Sequence, residues 1–214
     1  MFSNIYDALM SDVDYHQLYT LVKPYLKDDA TILDAGCGSG YLLCELLKEG
    51  HHALGIDFDS SMLSLAYDRL VSMQLPTPLY EHDLRKPLQI KVDVILMMFD
   101  VVNYFKGVKK VFKHMYQSLN PEGMFIFDVY KEDVKDAYDQ YEEHETEPIE
   151  YKWHISKTTY GIKHQFTYKD QTEIINQYIY SLDYYKKQLE DIGFQYKVIS
   201  GPDQRKDYVI AYKK

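Results

Sequence analysis

Residues 32–41 read Ile32-Leu33-Asp34-Ala35-Gly36-Cys37-Gly38-Ser39-Gly40-Tyr41, a strand-like segment running into three glycines spaced one residue apart. Glycine lets a backbone turn with positive φ and approach a ligand closely. The residues that follow, Tyr41 to Gly50, have helical spacing and end on a glycine stop. Strand, glycine turn and helix in that order place the turn beyond the carboxyl end of the strand, where open α/β sheets bind ligands. A dinucleotide turn runs G-x-G-x-x-G/A, yet here the position that should be small is Tyr41. That spacing argues against NAD or FAD. No Gly-Lys-Ser/Thr ending marks a Walker-type phosphate loop either.

Outward from this stretch the alternation continues. Residues 12–26 have the spacing of an amphipathic helix, with Pro24 set to end or kink its last turn. His51 to Phe58 reads as a second strand, and the next helix, through Met73, opens at Asp59, Ser60 or Ser61 as cap. Thr77 to Asp83 offers a short third strand. Val92 to Asp100 is an almost unbroken apolar run, the signature of a central parallel strand covered on both faces. A helix over 106–120 and a turn plus strand over 121–130 follow. This order predicts an α/β fold with a doubly wound, mostly parallel sheet. After Tyr130 the pattern changes. Residues 131–147 are acidic and polar, read as an exposed helix and loop, and 149–180 alternate as three antiparallel strands turning at Tyr160-Gly161 and Lys169-Asp170-Gln171. A helix from Ser181 to Gly193 and two strands close the chain. The expected organisation is one domain over 1–214: a helical cap (1–29), a ligand-binding core (30–130), an insertion (131–180) and the closing elements (181–214).

Composition narrows the partners. A formal charge of −9 repels a polyanion, which weighs against nucleic acid. The run Lys106, Lys109, Lys110 and Lys113 reads as the solvated face of a helix. Two cysteines, Cys37 and Cys44, offer neither a disulfide framework nor a structural zinc site, and no histidine shows metal-ligand spacing, so no metal is expected. No apolar run reaches the roughly 20 residues that span a bilayer, and the first residues lack a basic-then-apolar leader. A cytoplasmic protein is the expectation. Tyrosines crowd the second half of the chain, around Tyr178, Tyr180, Tyr184 and Tyr185, and suit strand and interface packing.

Further motifs follow the other strands. Gly55 to Leu63 puts Asp57 at the end of the second strand, His82-Asp83-Leu84 follows the third, and Phe99-Asp100-Val101-Val102-Asn103-Tyr104-Phe105 follows the fourth. Together with Asp34 to Gly40 and Leu119 to Tyr130, these motifs resemble the class I S-adenosylmethionine-dependent methyltransferases over about residues 30–130, and again in the closing helix and strands. Tyr6 to Tyr15 and Phe99 to Phe105 are further similar to small bacterial methyltransferases related to glycine N-methyltransferase, many without an assigned substrate. The resemblance implies a seven-stranded Rossmann-like sheet with the antiparallel three-strand insertion after its fifth strand.

It also implies roles. Gly36, Cys37, Gly38 and Gly40 would form the turn around the methionine part of S-adenosylmethionine, main-chain groups meeting its amino and carboxylate ends. Asp34 would reach the ammonium or brace the turn. Asp57 would accept both ribose hydroxyls, as a carboxylate with several lone pairs can. Phe58 and Met62 would lie beside the adenosine (Met62 equally as core), with Asp83 on the adenine amino group and the Leu84 main chain on the ring edge. Tyr6 and Tyr15 would close over the cofactor or pack in the core, and Phe99, after the fourth strand, would also contact the cofactor. Asp100, Asn103 and Tyr104 stand where a small-molecule methyl acceptor should sit, Asp100 and Asn103 either holding it or capping the helix before Val108. No Asn/Asp-Pro-Pro-Tyr/Phe motif follows the fourth strand, so methylation of nucleobases loses its best support.

Methyl transfer to a good nucleophile rests on alignment more than on acid–base chemistry. If a proton must leave, Asp100, Asp128, Tyr130, His154 and His164 are the candidates. The insertion, with Trp153, Tyr160, Phe166 and Tyr168, is the expected source of acceptor specificity, as the lid of a monomer or the contact of a homodimer. The product would be S-adenosylhomocysteine. Two other readings stay open: a non-catalytic module binding S-adenosylmethionine or S-adenosylhomocysteine, and an NAD(P)-dependent oxidoreductase, against which Tyr41 weighs.

Overall fold

Three helices begin at a side-chain cap, Asp14, Asp59 or Ser181. In the computed structural model, which describes residues 7–147 and 149–214, α1 (Tyr15–Val22) is capped by Asp14, whose carboxylate accepts from Gln17 N at 3.1 Å. Pro24 has no N–H to continue the ladder, and the helix tightens into a 3-10 turn, Lys23–Tyr25, and stops. Tyr6 lies outside the described residues. β1 (Thr31–Ala35), α2 (Tyr41–Lys48), β2 (His52–Asp57), α3 (Ser60–Ser72) and β3 (Leu79–Glu81) form the first half of the core. Asp59 caps α3, accepting from Ser61 N at 2.8 Å. β4 (Val92–Met97), α4 (Lys109–Ser118) and β5 (Leu119–Tyr130) form the second half. The β4–β5 register jumps from Val92–Leu119 to Val94–Met124, so residues 120–123 loop out as the turn read in the sequence. Lys106, Lys109, Lys110 and Lys113 are exposed at and along α4, a solvated face.

A single helical turn, α5 (Val134–Ala137), leads to β6 (Tyr141–Glu145), β7 (Tyr151–Thr158), β8 (Gly161–Tyr168) and β9 (Gln171–Tyr178). The chain closes with α6 (Leu182–Ile192), β10 (Gln195–Ile199) and β11 (Lys206–Tyr212). Ser181 caps α6 and Gly193, at φ 106°, ends it.

The main sheet has seven strands in the order β10-β11-β5-β4-β1-β2-β3, parallel from β3 to β5 and antiparallel at β11 and β10. Strand order reverses between β1 and β4, which opens a crevice beyond their carboxyl ends. Both faces are covered, as the apolar runs require. Ile32, Val94 and Leu96 pack toward α1 and α2, while Leu33, Ile95 and Met97 pack toward α4 and α6. Burying each such side chain is worth about 1.5–3 kcal/mol.

The insertion after β5 is antiparallel, with turns at Thr158–Gly161 and Tyr168–Gln171 as the sequence indicates. It has four strands where three are expected, in the order β6-β7-β8-β9. The added strand, β6, is the acidic stretch read as loop. Its side chains have no apolar alternation, and it is held at the sheet edge by main-chain pairing in a register that sets Glu143 opposite Trp153.

Asn103 departs from its expected role. It is fully buried, its Nδ2 donates to the Tyr178 carbonyl at 2.8 Å, and its Oδ1 accepts from Tyr130 N at 3.1 Å. The side chain neither caps a helix nor faces a cavity; it fastens the end of β9 to the end of β5. Truncation in Asn103→Ala removes the partner of two partly buried main-chain groups and should cost about 2–4 kcal/mol in urea unfolding. A loss below about 0.5 kcal/mol would show that water reaches those groups.

Candidate active site

The turn between β1 and α2 is held by its own main chain. Gly36 N and Cys37 N donate to the Ile56 carbonyl at 2.8 and 3.0 Å, Gly38 N to Asp57 Oδ2 at 2.9 Å, and Gly40 N to the Cys37 carbonyl at 2.9 Å. These N–H groups therefore shape the turn. Gly36 sits at φ 86°, and a Cβ there would lie 2.8 Å from both methyls of Val101. The close approach of this turn to the Val101–Tyr104 turn after β4 is what requires glycine. Gly40 lies against Ala66 of α3 and does not line the cavity.

Beyond the strand ends lies a cavity of about 480 Å³. Its floor is the glycine turn with Asp34 and Cys37; Asp57, Phe58 and Met62 form one wall after β2, and Asp83 and Leu84 another after β3. Tyr15, Phe99 and Tyr104 close the side facing β4. The expected cofactor residues thus converge here, Gly40 excepted. The Tyr15 ring stacks on Tyr41 at 4.6 Å, Arg69 covers the opposite face of Tyr41 at 3.6 Å, and Arg69 pairs with Asp7 at 2.9 Å. Tyr41, the residue that spoils a dinucleotide fingerprint, therefore anchors the N-terminal segment beside the cavity.

Charge in this cavity is unbalanced. Asp34 is buried and its Oδ2 has no hydrogen-bond partner. Burial, with the nearby Asp57 carboxylate adding to it, lifts the Asp34 carboxyl to about 7. Asp57 accepts from Gly38 N and Asp59 N at 2.9 Å each, and burial still holds its carboxyl above the ordinary range. Asp83 differs: it lies two residues past β3, and Arg85 beside it holds its carboxyl low.

A second cavity, about 650 Å³, borders the first, and Met10, Phe99, Tyr104 and Ile175 line both. Its walls come from the N-terminal segment (Met10, Val13), the insertion (Trp153, Phe166), the end of β5 (Tyr130) and β11 (Tyr208). A chain of buried polar groups runs along it. Trp153 Nε1, a donor only, reaches His164 Nδ1 at 3.2 Å. The His164 proton therefore sits on Nε2, which donates to Gln177 Oε1 at 2.9 Å. Gln177 Nε2 in turn donates to Asp100 Oδ2. Lys206 Nζ donates to Asp100 Oδ1 at 2.6 Å and Asp128 Oδ2 at 3.1 Å, and Asp100 N donates to Asp128 Oδ1 at 2.6 Å. Burial lowers the affinity of His164 for a second proton, and it raises the Asp128 carboxyl despite Lys206. Phe99 and Asp100, at φ 61° and 51°, hold left-handed backbone that these contacts keep in place.

Asp100 is thus an anchor for Lys206 and Gln177 and makes no cap bond to the turn it precedes. Of the candidate proton acceptors, Asp100, Asp128, Tyr130 and His164 line this cavity and His154 does not. Lys206, Gln177 and Tyr208 were not anticipated. Lys206 merely opens a strand of ordinary composition, and nothing in the residues around it marks it as buried. Among the described residues no cluster of three or more His, Cys, Asp or Glu side chains is placed to hold a metal ion, and no helix is long and apolar enough to cross a membrane.

Residues 9–198 match a family described as a methyltransferase domain. The chain is 28% identical over 211 residues to YqeM of Bacillus subtilis (strain 168), which is named as a methyltransferase; the match covers 91% of this chain and 85% of that protein. An S-adenosylmethionine-dependent methyltransferase from Clostridium acetobutylicum superposes with a TM-score of 0.80 at 22% identity, over 99% of this chain and 97% of its own. CalS10 of Micromonospora echinaspora, an amino pentose methyltransferase with S-adenosylmethionine bound, gives 0.77 at 17% identity over 98% and 97%.

The raised Asp34 carboxyl makes a signed prediction. The folded chain keeps that proton up to about pH 7, whereas the unfolded chain loses it near 3.8, so the stability tied to it falls as pH rises between those values. Asp34→Asn should therefore gain on the wild-type apoprotein, by up to about 3 kcal/mol between pH 5 and pH 8 in urea unfolding. A pH-independent difference would mean that water reaches the carboxylate.

Proposed function

The chain belongs to the methyltransferase-domain family and has the fold of the class I S-adenosylmethionine-dependent enzymes, and we propose that it carries a methyl group from S-adenosylmethionine to a small molecule held in the second cavity. The observation that supports this most directly is the pair of adjacent cavities that share Phe99 and Tyr104 as lining, one floored by Asp34 with its unpartnered oxygen and the other walled by rings. The first suits S-adenosylmethionine, which bears an ammonium and a sulfonium. The unpartnered Asp34 oxygen would take the ammonium, and the remaining lone pairs of Asp57 the ribose hydroxyls. Phe58, Met62 and Leu84 offer apolar surface for the adenine, with Asp83 at its amino group.

Bound there, S-adenosylmethionine supplies an activated methyl group. What the protein adds is placement. Phe99 and Tyr104 stand where the cavities meet and would set the acceptor in line, while Tyr15 and Tyr41 shield the N-terminal side from water. Both ring nitrogens of His164 are engaged, so it acts as a fixed wall and not as the base. The second cavity also favours transfer over a purely binding role, because a sensor of the nucleotide would use only the first. A neighbour that is an amino pentose methyltransferase agrees with a small-molecule acceptor.

Calorimetry should find S-adenosylmethionine and S-adenosylhomocysteine binding and no NAD. Asp57→Ala should weaken both by tenfold or more, about 1.4 kcal/mol or above. Labelled-methyl transfer into a metabolite extract should yield a small labelled product. Binding of NAD without the adenosylmethionine pair would overturn the reading.

A further inference from the structure

We propose that the molecule taken by the second cavity is an amine that enters as its ammonium, with an apolar, ring-sized body and no carboxylate or phosphate of its own; before its nitrogen takes the methyl group and S-adenosylhomocysteine leaves, the ammonium passes a proton to a carboxylate of the wall, Asp100 or Asp128. The inference rests on the second cavity being the acceptor site, and it comes from charge and shape within that cavity. Four carboxylates line it (Asp14, Asp100, Asp128 and Asp203) against two permanent cations, Arg205 and Lys206. Both cations are already matched. Arg205 forms a forked pair with Asp203, Nε to Oδ1 at 2.9 Å and a terminal nitrogen to Oδ2 at 2.8 Å, and donates to the Tyr138 hydroxyl. Lys206 is held by Asp100 and Asp128 and lies over the rings of Phe99 and Tyr130, at 5.4 and 5.0 Å. An acceptor carrying a carboxylate or phosphate would meet no uncommitted cation among the described residues of this wall, and would have to be stripped of water for nothing in return.

A cation meets the opposite surroundings. Two carboxylates share the one Lys206 ammonium, so that cluster holds a surplus of negative charge or a proton in its place. Burial raises the Asp128 carboxyl, which is how a cluster short of a cation responds. Asp14, at the N-cap of α1, adds another carboxylate on the cavity's N-terminal side. Trp153, Phe166, Tyr130 and Tyr138 present ring surface, which attracts an alkylammonium and also packs an apolar body. A free amino acid, with its own carboxylate, is a poor fit by the same reasoning.

The single tryptophan of the chain, Trp153, lines this cavity, so its fluorescence reports occupancy. The full-length protein, with and without S-adenosylhomocysteine, is titrated with cyclohexylamine, cyclohexanol and cyclohexanecarboxylate, which share a body and differ in charge. The amine should change Trp153 emission at concentrations about tenfold or more below the alcohol, and the carboxylate should have no effect. Asp100→Asn should reduce the amine's advantage over the alcohol severalfold. The wild-type series decides the matter even if that variant does not fold. An equal response to the three ligands, silence included, or a preference for the carboxylate, overturns the proposal. Failure to bind S-adenosylhomocysteine, with the amine preference intact, would instead count against the methyltransferase reading and leave a cationic-amine site standing.

Discussion

A lysine ammonium buried between two carboxylates holds the functional end of this molecule together. Lys206 opens β11, Asp128 lies near the end of β5, and Asp100 lies just beyond β4, so one ion cluster ties three strand ends. Taking such charges out of water costs several kcal/mol for each ion, and only close pairing with further hydrogen bonds offsets it. Here every oxygen of the two carboxylates has a donor: Lys206, Gln177 or the Asp100 main chain. Such a cluster is a weak source of net stability and a strong source of uniqueness, because removing one member strands the others. It also supports the left-handed backbone at Phe99 and Asp100, the pair that stands between the two cavities.

The insertion is bound into the same arrangement. Gln177 carries the cluster's influence to His164 and Trp153, while Asn103 ties the end of β9 to β5. The antiparallel sheet therefore forms a wall of the second cavity through fully specified hydrogen bonds, and its edge strand β9 also borders the first. On the cofactor side the carboxylate problem is solved differently. Asp34 and Asp57 face each other's charge, no cation among the described residues pairs with either, and burial lifts the Asp34 carboxyl to about 7. One carboxylate pair shares a single lysine of the chain and the other has none, so both leave negative charge facing their cavities.

Much of this was legible from particular residues. Ile32 to Tyr41 declared strand, turn and helix, Pro24 and Gly193 declared helix ends, and the apolar run from Val92 declared a central strand. Asp34, Asp57, Met62 and Asp83 were expected near one ligand, and they line one cavity. Strand β6 was missed because edge pairing uses main-chain groups and leaves no apolar period. Asn103 and Asp100 were expected to hold a ligand or cap a helix, yet they hold the fold, because their partners Tyr178, Gln177 and Lys206 lie 75 or more positions away.

What the sequence determined alone is whatever repeats locally or rests on one residue's conformational limits: the order of strands and helices, the glycine turn and the ligand side of the sheet. Those follow from hydrophobic period and backbone sterics, which act over a few residues. Only the tertiary structure decided which charges meet. Lys206 finds Asp100 and Asp128, the insertion becomes a cavity wall, and Asp34 is left unpaired, because each outcome depends on strands brought together across the sheet. Burial then sets the value of each charge, and burial belongs to the assembled fold and to no residue by itself.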